Sequence, residues 1–345
     1  MAIVVSHLHF SIPSFKDNST ILMAETLIAT IGLTLFFFLS GCSLMLKRPS
    51  FGTAGDLWTY LRRRLLRIYP LYWLALVFTM VMHSLGVTSG WMTDMDAGQL
   101  LLTILGLQIL LSSSFTLVPF WFVSAILVYY LLFPIVVFAA SRIRMPFKFS
   151  ALVVSLIIFA FLLAASALTN ELDDRLIIYY WFFIAGIILG GEVDLPSITL
   201  SRSLPWIVIS AIALPFTKPD LLPSPLGDRI GSLLPAYISD FLSVALVGII
   251  GILVMLQAAK FYKRHLWART SRAMMWIAPN TLSIYLFSGF LVYLAAKMAE
   301  SVSPSLVAVA AIAVGVPLGL FIPPLVQVAV DKAVDLMFGR RGSMA

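Results

Sequence analysis

Residues 60–87 read YLRRRLLRIYPLYWLALVFTMVMHSLGV: four arginines within six positions, a cluster of aromatic rings, then a long run without a charged residue. A run of about 20 apolar residues is the length of helix that crosses a bilayer. Basic and aromatic side chains gather where such a helix meets the aqueous boundary. The stretch therefore reads as a membrane helix entered from a basic face, and the rest of the chain can be sorted by the same rule.

Composition agrees with that reading. Of 345 residues, 61% are hydrophobic and only 11% charged, with a mean hydropathy of +1.00. Soluble chains carry about 25% charged residues, so lipid is the expected solvent and the bilayer the first partner. The excess of 23 Lys and Arg over 16 Asp and Glu would suggest nucleic acid in a soluble protein. In a membrane chain its distribution between loops decides its meaning, and no nucleic-acid partner is expected. The single cysteine, Cys42, excludes an internal disulfide and a cysteine-based metal site. It reads as a small packing residue. The opening residues MAIVVSHLHF lack the basic segment and cleavage site of a secretory signal.

Nine apolar runs are long enough to be read as spans: 21–46, 68–87, 118–141, 151–169, 176–191, 204–217, 241–259, 281–297 and 304–330. The sixth is short and bracketed by Pro205 and Pro215. Residues 1–10 read as the remaining half of a first helix. Residues 100–111 are also apolar, but counting them as a span would place the basic loop at 142–148 opposite the basic loop at 47–67. They are therefore expected to form an interfacial or re-entrant segment. With that choice 18 of the 23 Lys and Arg fall on one side, which the positive-inside rule makes cytoplasmic, with both termini there. The expected fold is all-α: a polytopic integral membrane helix bundle of about ten transmembrane helices, the first truncated. Without repeats or linkers, residues 1–345 are expected to form a single membrane domain with no soluble appendage.

Chemistry has few places to reside. Arg64 and Arg67 are three apart on a helix, so their guanidinium groups can converge on one anion, with Arg63 beside them. The plain alternative is a basic anchor with an aromatic belt, and the segment alone leaves both open. His7 and His9 lie in a short apolar segment. A histidine in a membrane helix is usually a hydrogen-bonded interior residue, yet an imidazole near neutrality is also a suitable general base for a hydroxyl. No nucleotide-binding glycine loop, metal-ligand cluster or nucleophile elbow is present in the sequence. Small residues such as Ser40 and Gly41 ordinarily permit close helix packing. Trp121, Ser124 and the ring-rich stretch to Pro134 read first as interface and core.

Taken together and in order, VVSH at 4–7, LFFFLSG at 35–41, RRLLRIYPLYW at 63–73, the segment 121–134 and LSIYLF at 282–287 resemble the acyltransferase family 3 of membrane O-acyltransferases. The arginine segment is the specific element, and the likeness extends over nearly the whole chain. The resemblance implies transfer of an acyl group, usually acetyl from acetyl-CoA, to a hydroxyl of a saccharide or lipid-linked envelope acceptor. Acyl-CoA would be a co-substrate, with no permanently bound cofactor and no metal. It also implies His7 as the catalytic base, with His9 the alternative, and Arg64, Arg67 and Arg63 as the acyl-CoA contacts. Ser40, Tyr69, Trp121, Ser124 and Tyr285 fall in the matching segments as supporting residues. The family often carries a glutamate where Ile126 stands and a histidine where Ser288 stands, so a catalytically inactive relative is a further reading. The reading from a different class is a secondary transporter or flippase for an anionic or lipid-linked solute. It is disfavoured by the absence of paired repeats and of charges at span centres.

Overall fold

A computed structural model describes residue 12 and residues 19–47, 49–84, 96–110, 120–169, 172–190, 200–217, 236–265, 271–272, 275–300, 302–303 and 306–338. The described residues are almost entirely helical, with no strand among them. The helices are α1 (Ser19–Met45), α2 (Ala54–Ser84), α3 (Ala97–Leu105), α4 (Trp121–Arg142), α5 (Phe147–Thr169) and α6 (Asp174–Ile178). They continue with α7 (Tyr180–Gly190), α8 (Leu200–Thr217), α9 (Ala236–His265), α10 (Thr281–Glu300), α11 (Val307–Ala310) and α12 (Val316–Phe338). Among the described residues, seven helical stretches are long and apolar enough to cross a membrane. Large side chains facing outward, such as Phe161 on α5 at 71% exposed and Leu325 on α12 at 68%, suit lipid rather than water. The molecule is a multi-pass membrane bundle.

The described parts of all nine expected spans are helical, but only seven are long and apolar enough to cross a membrane; 176–191 and 204–217 are not. Helix α2 begins fourteen residues before the expected start at 68, so Arg62, Arg63, Arg64 and Arg67 lie inside the helix and not in a loop. Pro70 sits within it, tolerated because its ring removes only one donor from an otherwise continuous ladder. The expected fifth span is broken at Tyr179 into α6 and α7. The last span runs through a π-helical turn, Ala311–Gly315, into α12.

The apolar stretch 100–111 is too short to cross, as expected from the charge distribution. Helix α3 has only nine residues, starts at an Asp96 capping box and stops at Gly106, whose left-handed φ of 65° ends the helix. A Cβ at Gly106 would also come within 2.7 Å of Leu127. The last carbonyls of a helix lack internal partners and need donors where water is excluded. Helix α2 supplies them. The Tyr72 hydroxyl donates to the Thr103 carbonyl, the Trp73 indole N–H to Ile104 (2.9 Å) and the Tyr69 hydroxyl to Leu105 (2.7 Å). The aromatic run after the arginines thus clamps the short helix α3.

Helix α7 packs on α1 through small residues. A Cβ added at Gly186 would lie 2.1 Å from the Phe38 carbonyl oxygen, and one at Gly41 would lie 2.2 Å from that of Phe183. Gly190 meets the backbone of Cys42 in the same way. Gly186 and Gly190 are four apart, the spacing that lets two membrane helices touch backbone to backbone. Cys42 is free and buried in this contact, a packing residue as expected.

Candidate functional site

The depth of the arginine segment follows from the register of α2 against α4. The Tyr60 hydroxyl donates to the Tyr130 carbonyl at 3.1 Å, and the Tyr72 ring meets the Phe120 ring at 5.5 Å. The two helices are therefore antiparallel, and Arg64 is level with the residue near 127 on α4. At 1.5 Å per residue that places its backbone about 20 Å from the end of α4 that carries Arg142. Arg142, Arg144 and Lys148 are exposed at that end, hereafter the basic end. The guanidinium of Arg64 turns back towards it, lying 5.9 Å from the ring centre of Tyr60 and 5.5 Å from that of Tyr130. Cation–π contact of this kind holds a guanidinium without neutralising it.

Arg64 is half-buried, whereas Arg62, Arg63 and Arg67 are exposed. Among the described residues none of the four has a carboxylate within ion-pair distance. Uncompensated arginines at such depth are costly in hydrocarbon and mark a water-filled recess or an anionic ligand. The spacing of Arg63 and Arg67, four apart, and of Arg64 and Arg67, three apart, keeps them on neighbouring faces of α2.

A second cationic centre, not recognised from the sequence, lies further from the basic end. The Arg175 guanidinium lies over the Trp121 ring at 4.6 Å and pairs with Asp173 through Nε (2.9 Å to Oδ1) and Nη2 (2.5 Å to Oδ2). Asp173 is buried, accepts the Arg175 backbone N–H as the N-cap of α6, and donates its own backbone N–H to the Ile109 carbonyl. Tyr179 tilts against Trp121 at 5.9 Å and is hydrogen-bonded to Thr30 of α1. In the sequence Asp173 and Arg175 read as charges of an outer loop. The available signal was the sequence DDRLIIYYW, in which charge runs straight into a ring-rich apolar segment.

The supporting residues divide between these features. Trp121 belongs to the Arg175 cluster. Tyr285 on α10 is buried with its ring 4.6 Å from Phe122, which also meets Phe36 edge-on at 4.6 Å. Ser124, one turn beyond Trp121, is fully buried and its hydroxyl has no hydrogen-bond partner. Such a group costs about 1–3 kcal/mol if nothing satisfies it, which makes it a place to look for a ligand. Ser288, where the family often has histidine, also has an unpartnered hydroxyl, and a Cβ added at Gly319 would lie 3.1 Å from the Ser288 Cβ. Ile126 is buried in the apolar core. Tyr69 is occupied in the clamp on α3, and Ser40 is buried beside Gly41 at the contact of α1 with α7. His7 and His9 lie outside the described residues. Among the described residues no group of His, Cys, Asp or Glu could hold a metal ion.

A helical bundle with seven stretches long and apolar enough to cross a membrane among the described residues, and with a row of arginines on one of its helices, defines a multi-pass integral membrane protein. A family model described as an acyltransferase domain matches residues 1–322 of the 345. The chain belongs to acyltransferase family 3. Comparisons with curated proteins and with solved structures gave no match.

Proposed function

We propose that the protein is an inner-membrane O-acyltransferase that moves an acyl group, acetyl in the simplest case, from acyl-CoA to a hydroxyl of a cell-surface saccharide or related acceptor. The observation that carries this is the set of arginines on α2, unpaired among the described residues, with the Arg64 backbone about 20 Å along α4 from the basic end. Coenzyme A is a cytoplasmic polyanion, and the positive-inside rule makes the basic end cytoplasmic, with both termini on that side. Arg64, Arg67 and Arg63 are the donors suited to its phosphates, since guanidinium forks bind phosphate in pairs.

His7 is the general base of this scheme. It takes the acceptor hydroxyl proton as that oxygen attacks the thioester carbonyl. The carbon–sulfur bond then breaks, the ester forms, and the coenzyme A thiolate recovers the proton from the imidazolium. The enclosed centre around Trp121, Ser124 and Tyr285 would keep water from competing for the acyl group. The test is a labelled acetyl-CoA assay on purified protein, paired with NMR of cell-surface polysaccharide from cells with and without it. Loss of ester-linked acetyl from that polysaccharide supports the reading, and an unchanged acetylation pattern with no thioester consumption refutes it.

A further inference from the structure

A cavity of about 420 Å³ opens at the basic end, between the end of α1, the turn at 49–52, the last turns of α4 and the start of α5. That volume lies in the range of small-molecule sites, roughly 300–1,000 Å³. Met45, Phe51, Val137, Phe138 and Phe147 make its wall apolar and ring-rich, and Arg142 stands at its edge. Among the described residues that line it there is no carboxylate. The Arg142 guanidinium lies 4.7 Å from the ring centre of Phe138, which orients it, and it has no ion pair among the described residues.

The cavity adjoins the arginine segment through ring contacts. Phe51 in its wall meets the Tyr60 ring at 5.3 Å, and Tyr60 in turn lies 5.9 Å from the Arg64 guanidinium. On α4 the residues Tyr130, Phe133, Val137 and Ser141 follow one another at spacings of three and four. One helix face therefore leads from beneath Arg64 into the cavity. An aromatic-walled cavity with one cation at its edge and a second two ring contacts further in is a specific pattern. It matches a purine nucleoside that carries phosphate on both sides of its ribose.

We propose that this cavity binds the adenosine end of acyl-CoA. The purine lies among Phe51, Phe138 and Phe147, the ribose 3′-phosphate meets Arg142, and the 5′-diphosphate is held on the Arg64 side. The pantetheine arm then follows α2 past Arg64, and the thioester arrives near the level of Ser124. This inference rests on acyl-CoA being the donor. A phospholipid, the other amphiphile available at a bilayer surface, has a phosphate at one end only and leaves the second cation unexplained.

Competition against radiolabelled acetyl-CoA, on the full-length protein in nanodiscs of phosphatidylcholine, separates the alternatives. Adenosine 3′,5′-bisphosphate should compete with the wild-type protein. Arg142→Gln should weaken acetyl-CoA about tenfold, the size of one lost charge-assisted contact, while leaving dephospho-coenzyme A unchanged. Gly52→Leu narrows the cavity without a backbone clash, because an added Cβ meets nothing nearer than the Asp56 carboxylate at 4.0 Å. It should weaken acetyl-CoA and the bisphosphate but not S-acetyl-pantetheine. Wild-type acetyl-CoA affinity in both variants, with melting temperatures unchanged, would overturn the proposal. So would displacement by phosphatidylglycerol but not by the bisphosphate. If the wild-type protein binds no acetyl-CoA, the donor reading itself fails and this proposal with it.

Discussion

Gly186→Ala is the sharpest perturbation of the scaffold that holds the buried polar centre. The new Cβ would sit 2.1 Å from the Phe38 carbonyl oxygen and 2.9 Å from the Cys42 amide nitrogen, both backbone atoms that cannot rotate away. A carbon and a carbonyl oxygen rest at about 3.3–3.6 Å even in favourable contact, so α1 and α7 must part by more than about 1 Å at their crossing. A gap of that size forfeits roughly a quarter to a half of the dispersion energy of the atoms along it. Overpacking of a close contact costs about 1–3 kcal/mol, which opposes the gain of up to about 1 kcal/mol that alanine offers over glycine within a helix. The contact also carries Thr30 and Phe37 of α1 to Tyr179, whose ring lies 5.3 Å from that of Phe37. Activity should therefore fall together with stability. Thermal unfolding of the purified protein in one detergent, followed by tryptophan fluorescence, should show a melting point several degrees lower. Gly55→Ala on α2 is the control, since its Cβ would meet only the Thr53 hydroxyl at 3.5 Å and should be harmless. A Gly186→Ala protein as stable as Gly55→Ala would refute the backbone-contact reading of α1 and α7.

Arg64→Ala and Arg67→Ala should each weaken acetyl-CoA binding about tenfold or more, with lysine restoring it only in part for want of the paired fork, as measured by filter binding. Ser124→Ala should leave the melting temperature unchanged, because the hydroxyl has no partner to lose, but should lower acyl transfer; a loss of stability without a change in rate would make it a packing residue. Cysteines at the exposed positions Asp174 and Arg144 should react with an impermeant maleimide from opposite sides of the membrane, and labelling from one side would overturn the span order. His7→Ala should lower acyl transfer by about 10²–10⁴ while acetyl-CoA binding persists. His9→Ala should be mild, since on the half-helix expected from the sequence residues two apart point about 200° from each other.

Hydropathy made the spans legible because each apolar run is a property of consecutive residues, and so is the helix that buries it. That α3 does not cross was legible for a different reason: a crossing there would put the basic loops at 47–67 and 142–148 on opposite sides. What neighbours along the chain cannot supply is depth. Arg62 to Arg67 read as a boundary because they precede an apolar run, yet they belong to a helix that starts at Ala54 and is registered through Tyr60 and Tyr72 to the middle of α4. Asp173 and Arg175 read as an outer loop because charge surrounds them, yet α6 and α7 dock so that the pair lies on Trp121. Arg142 read as one more positive charge of a loop, and becomes a ligand candidate only because the turn at 49–52 and Phe147 close a cavity beside it. In each case the deciding quantity is the offset of one helix against another. Side chains far apart in sequence set that offset, through contacts such as Gly186 on Phe38 or Tyr72 on Thr103. The aromatic residues after the arginines gain their meaning the same way. Tyr69, Tyr72 and Trp73 look like a membrane-boundary belt, but their polar atoms face three successive carbonyls of α3. The specific spacing of that segment is therefore under two demands at once, an anion-facing side carried by the arginines and a clamp carried by the rings. A change in either would move the other, since both ride on the same turns of α2.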